Sequence, residues 1–332
     1  MIINKLVLHI LDCNSANCLL SERTIDLSSE EVYTFMEKHI LKALADNGTS
    51  SGEFYADSEF APELESYLDK DETFLDFSKN IANLVFKNIV NAAEKELVDL
   101  VVVEFLDEDV RKMGVFLFAG KPAFTHQVEK VDNVLCNEII RHFAIFPNTS
   151  QRVDSFVIIN LLNGTLKYLD KKRSLDGKAQ YLLPEKILGC SSVISPKESV
   201  KVVNKIAKEV AEEFGENTTV ALSKAKLFIA DNIEENESFS VEKLGQEVFE
   251  DSLESQVAFA DKLKEAKIPD VVNADRSLAK KSIRTHKIKT DTGIEITFPA
   301  DYAENNEFIE FVTKPDGMIS IELKNIGKVI DR

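Results

Sequence analysis

Two groups of cations are the residues whose types and spacing could do chemistry in this chain. Lys171, Lys172 and Arg173 are consecutive, with Lys167 and Lys178 close by. Arg276, Lys280, Lys281, Arg284, Lys287 and Lys289 form a second run. Cations gathered on one surface neutralise phosphates and release condensed counterions, so such a contact is salt-sensitive and largely blind to base sequence. The plainer reading is that these are basic faces that balance acidic ones, within the chain or between subunits. Acid dominates the whole: the net charge is −17. Two acidic blocks carry much of it, Glu53–Asp76 and Asp231–Glu254. Bulk charge of that sign opposes polyanions, so the distribution matters more than the sum.

Other chemistry is sparse. No His-Glu-x-x-His, phosphate-loop or dinucleotide fingerprint is present. His9, His39, His126, His142 and His286 lack metal-ligand spacing. Asp107-Glu108-Asp109 could hold a divalent cation, but two flanking apolar strands make a solvated turn the better reading. Cys13, Cys18, Cys136 and Cys190 are scattered, so all four are expected to be reduced and structural. No catalytic residue, metal site or cofactor is expected. The N-terminus does not read as a secretory signal. No apolar run is long enough to span a bilayer, and the expectation is a cytoplasmic protein.

The elements that must position these residues are read from hydrophobic period. At 332 residues the chain has room for two domains. Ile3–Leu11 and Cys18–Leu27 suit strands. Ser28-Ser-Glu-Glu31 has capping-box spacing and opens a helix burying Val32, Phe35, Met36, Ile40 and Ala43. Asn47–Glu53 reads as a loop. A second helix is expected over Ser78–Glu96. Strands at Leu97–Leu106, Met113–Phe118, Ala123–Lys130, Ile139–Phe146, Phe156–Leu162 and Thr165–Leu169 then form a meander. Asn163-Gly164 suits a type I′ turn.

Character changes near Gly189–Pro196. Ser195-Pro-Lys-Glu198 caps a helix with Val203, Ile206, Val210 and Phe214 on its buried face. Helices follow at Thr219–Ile233, Ser240–Phe249 and Ser252–Ala266, the last with Asp251 and Glu254 as a cap pair. His286–Ile326 reads as three short strands. The fold class is therefore α+β. Residues 1–190 should hold a largely antiparallel sheet with flanking helices, and 191–332 a helical cluster followed by a small antiparallel sheet.

The C-terminal pattern of Phe298-Pro299, Ile309-Glu-Phe311, Asp316-Gly317, Ile319-Ser-Ile321 and Lys324-Asn-Ile326 resembles the bacterial 37-kilodalton nucleoid-associated proteins of the NdpA type. Looser matches are the Ile3–His9 strand, the Phe77–Val90 helix and the central meander. The mass, 37.3 kDa, agrees. The resemblance implies a non-enzymatic nucleoid protein that binds double-stranded DNA. It transfers no base-reading residues. The candidate phosphate contacts come from charge alone: Lys280, Lys281, Arg284, Lys287 and Lys289, with Lys171, Lys172 and Arg173 as a second patch. The alternative is an acidic adaptor that engages basic DNA-handling proteins. No membrane partner is expected, and self-association is consistent with the symmetry habits of soluble proteins.

Overall fold

The N-terminal apolar run forms β1 (Ile2–Asp12), whose burial alternates between two covered faces. A computed structural model describes residues 1–131, 134–279, 285–303, 307–313 and 319–328. The chain divides into two units, Met1–Val193 and Ile194–Arg332. The fold is α+β, with a large antiparallel sheet in the first unit and small antiparallel sheets toward the C-terminus. No described helix is long and apolar enough to cross a membrane.

After β1 the first unit runs through β2 (Asn17–Leu19), α1 (Glu30–Leu44), β3 (Ser50–Gly52), α2 (Phe60–Leu68) and α3 (Phe74–Ile89). The expected six-strand meander is interrupted: β4 (Leu97–Asp107), β5 (Val110–Ala119), β8 (Phe156–Asn160) and β9 (Leu166–Leu169) are neighbours in order, while β6 (Lys121–Val131) and β7 (Val134–Ile145) pair with each other as a separate hairpin. A second hairpin, β10 (Lys172–Leu175) with β11 (Lys178–Tyr181), leads into a π-helical turn at Leu182–Leu188. The main sheet has the order β2-β1-β4-β5-β8-β9-β3, and every pairing is antiparallel. Strand β4 is apolar almost throughout because both of its faces are covered. Leu100 and Val102 join the core with α2, α3 and the π-helical turn. Val101, Val103 and Phe105 join the core with α1. Helix α3 supplies Phe77, Ile81, Val85 and Ile89, one residue per turn on one face.

Several local readings change. Asn47–Glu53 is not all loop, because Ser50–Gly52 pairs with β9 as an edge strand. Helix α1 starts after Ser29, whose hydroxyl makes no cap bond. Helix α3 begins and ends earlier than its periodicity suggested, and α2 carried too little repeat to be read. Asn163 does not take positive φ, although Gly164 does at +70°. The β8–β9 turn is therefore not type I′; the Asn163 side-chain oxygen instead accepts from the Thr165 amide at 3.1 Å. Two-residue turns with positive φ at both positions are instead Glu108-Asp109, at +49° and +62°, between the paired Asp107 and Val110, and Asp176-Gly177, at +50° and +75°, between the paired Leu175 and Lys178.

The second unit opens with α4 (Pro196–Glu213), where the Ser195 hydroxyl accepts from the Glu198 amide at 3.3 Å. Helices α5 (Thr218–Asn236), α6 (Val241–Val248) and α7 (Leu253–Glu265) complete the cluster, with β12 (Ser238–Ser240) paired to β13 (Val271–Asn273). Helix α7 is capped by Ser252, not by Asp251. Among the described residues the C-terminal strands number four rather than three: β14 (Thr285–Lys289) pairs with β15 (Glu295–Pro299), and β16 (Ile309–Thr313) with β17 (Ile319–Leu323). Phe298 and Ile309 bring the two hairpins into one small core.

Candidate nucleic-acid interface

Alternation along β14 sorts its side chains. His286 and Ile288 face inward, and Lys287 and Lys289 face out. His286 is held by a 2.9 Å hydrogen bond with Ser223 of α5 and by stacking on Phe298 at 5.3 Å between centroids. Burial, aided by the nearby Lys226 ammonium, lowers its pKa to about 4. It is therefore a neutral anchor, and it sets which way the two lysines point. Their side chains are 61% and 66% exposed. Both lean toward Glu295 on the paired strand, at 2.7 and 3.6 Å. One carboxylate against two ammonium groups leaves this face cationic. Arg276, in a short 3-10 turn upstream, pairs with Glu237 at 3.1 Å. Lys280, Lys281 and Arg284 lie outside the described residues, as does the Asp316-Gly317 pair of the C-terminal motif.

The second patch divides. Arg173 has an 8% exposed side chain and bonds to Asp170 at 2.8 Å, to Glu96 at 3.3 Å and to the Ser155 hydroxyl at 3.0 Å. Asp170 is itself buried and also accepts from the Leu183 amide at 2.7 Å. Lys171 bonds to the other oxygen of Glu96. Burial opposes the charge on Glu96, yet the Lys171 and Arg173 contacts hold its carboxyl below the usual range. Arg173 thus closes a buried ionic network that ties the start of β4 to the β9–β10 corner. Lys172 is exposed, with its ammonium 5.4 Å from the Tyr181 ring centroid.

A row of cations escaped the charge-run reading because helical spacing, not adjacency, makes it. Lys197, Lys201, Lys205 and Lys208 share one exposed side of α4. Glu198, Glu209 and Glu212 pair with the last three at 2.9–3.5 Å, so the row is largely balanced.

The acids at 107–109 do not converge. Asp107 pairs with Lys112 at 2.7 Å, and Glu108 and Asp109 form the exposed turn. No cluster of three or more His, Cys, Asp or Glu that could hold a metal occurs among the described residues. The run Gly48-Thr-Ser-Ser-Gly52 has the spacing of a nucleophile elbow, which the loop reading passed over. Ser50 lies in edge strand β3 rather than at the strand-to-helix turn that motif requires.

Geometry alone defines a class no narrower than an α+β protein with an outward cationic face on a C-terminal hairpin. Comparison is narrower. The chain matches the family described as nucleoid-associated protein YejK over residues 7–330, and it belongs to that family. No curated protein matches it.

Proposed function

We propose that this nucleoid-associated protein binds double-stranded DNA at phosphates, without reading bases, and works at the nucleoid in the cytoplasm. The observation that carries this reading is the outward pair Lys287 and Lys289, which continues the cationic run of Lys280, Lys281 and Arg284. Two exposed ammonium groups on a strand, one residue apart, lie close to the spacing of successive phosphates along a DNA strand. Lys172 is a secondary contact, with Lys171 and Arg173 holding its strand in place. The test is a salt titration of binding to duplexes of unrelated sequence. Joint reversal of Lys280, Lys281 and Arg284 to Glu should weaken binding and lower the log–log salt slope by about three. Unchanged affinity and slope in a folded triple variant would remove these residues from the interface.

The adaptor reading has one observation in its favour. The acids of Glu53–Asp76 are almost all exposed around α2. Glu72, partly buried and close to Glu63 and Asp76, has its pKa raised by burial and then by those two charges. Such a face would attract basic proteins that handle DNA. Its test is capture of basic partners after nuclease treatment; an empty capture would discard it. Self-association belongs to the proposed reading as well.

A further inference from the structure

Among the described residues, strands β6 and β7 form a ribbon that pairs only with itself. Directly paired residues share a face of such a ribbon. One face carries Phe124, Val128, Leu135 and Ile139, which are 56–82% exposed. The same face carries exposed Lys130 and Arg141 and no carboxylate among its described residues. Glu129 and Glu138 lie on the opposite face. A two-stranded ribbon is at best marginally stable in water, and four large apolar side chains on one side increase the cost of leaving it uncovered. The patch is on the order of 400 Å², within the range of the largest apolar patches on soluble monomers, which are often functional.

A receiving surface exists in the same unit. Leu6, Leu8, Val32, Phe35 and Phe146 line an apolar groove of about 360 Å³ beside α1, with Glu31 as its one charged wall. Phe146 directly follows β7 and packs on Phe35 and Phe118. Leu135 stands eleven residues up the strand from Phe146, about 36 Å away at strand rise. The extended ribbon therefore cannot fill the groove of its own chain.

We propose that the β6–β7 ribbon is a dimerisation arm that docks, apolar face down, in the α1 groove of a second copy of this chain. Exchange is reciprocal: each copy gives an arm and receives one. The two-fold arrangement closes on itself. Counting both arms and both grooves, it covers on the order of 1,000 Å², about the least that a specific interface buries. Charge agrees, since Lys130 and Arg141 of the arm meet a groove whose charged wall is Glu31. The proposal deepens the self-association reading and does not depend on the DNA reading.

The test is analytical ultracentrifugation of the full chain. Wild type should sediment as a dimer. An arm variant, Leu135→Glu with Ile139→Glu, should have half that mass, and its exposed positions leave the fold intact. A groove variant, Val32→Glu, should do the same, with Glu31→Lys used in its place if circular dichroism shows misfolding. Mixing arm and groove variants should restore part of the dimer, because one intact arm then meets one intact groove. A monomeric wild type would overturn the proposal. So would an arm variant that stays dimeric. A groove variant that stays dimeric would mean that arms pack on arms, and would overturn the groove assignment. Loss of DNA affinity in the arm variant of a monomeric protein would give that face to nucleic acid instead.

Discussion

Arg173 shows how far one side chain's role depends on burial. In the chain it is the third cation of a run; in the fold it neutralises Asp170 and Glu96 away from solvent. Removing one partner of a buried pair leaves an uncompensated charge, which typically costs 3–5 kcal/mol. Arg173→Ala should therefore lower unfolding stability in urea by about 3 kcal/mol. Lys172→Ala, at an exposed position on the same strand, should change it by less than about 0.5 kcal/mol. If instead Arg173→Ala kept full stability and lost DNA affinity, the residue would belong to the interface. His286 is the converse case. It sits within a cationic run, yet its imidazole is spent on Ser223 and Phe298.

At the scale of elements, turns and edges carry the differences. The β4–β5 hairpin closes through Glu108 and Asp109 with positive φ at both, a conformation that Asn-Gly adopts with far less strain. Replacing the pair by Asn-Gly should stabilise the first unit by about 1 kcal/mol, read as a higher urea midpoint at unchanged m-value. A fall in stability would show that the acidic side chains contribute more than the strain costs. Asn163-Gly164 looked like the favoured turn and is not, because a longer loop lets the Asn163 side chain bond to Thr165 instead. Helices with clear period and caps, such as α4 behind Ser195, were legible to within a residue or two. Helix α2 was not, because nine residues give too few repeats. Four described terminal strands were read as three because His286–Pro299 was taken as one strand, whereas the turn closed by the Thr290 amide on the Ile294 carbonyl folds it into β14 and β15.

At the scale of the whole molecule, pH acts through buried histidines in each unit. His9, in the first, has its pKa lowered to about 4 by burial and then by the Lys79 charge, and bonds to Ser78 at 3.0 Å. His286, in the second, is lowered to about 4 as well. Unfolded, both would protonate near 6.5; folded, they resist until about 4. The unfolded state thus binds more protons in this window, and stability falls as pH drops from 6.5 toward 4. The full benefit is present above 6.5, and each histidine is worth about 3 kcal/mol across the window. Urea midpoints measured between pH 7 and 4.5 should fall steadily. NMR titration should find both imidazoles neutral at pH 5. A flat profile with early-titrating rings would show that these side chains reach water.

Composition and period by themselves determined the α+β class, the antiparallel first half and the helical stretch after residue 195, because those follow from local alternation; the family came from the resemblance of the C-terminal motif. Charge runs also placed the cations in the chain. Only tertiary structure decided what each does: Arg173 turned inward, Lys287 and Lys289 turned out, and the acids at 107–109 separated into a turn. The same holds for the ribbon, whose two strands were legible but whose separation from the other described strands was not. Burial and pairing depend on what distant segments bring to a face, and no local pattern carries that information.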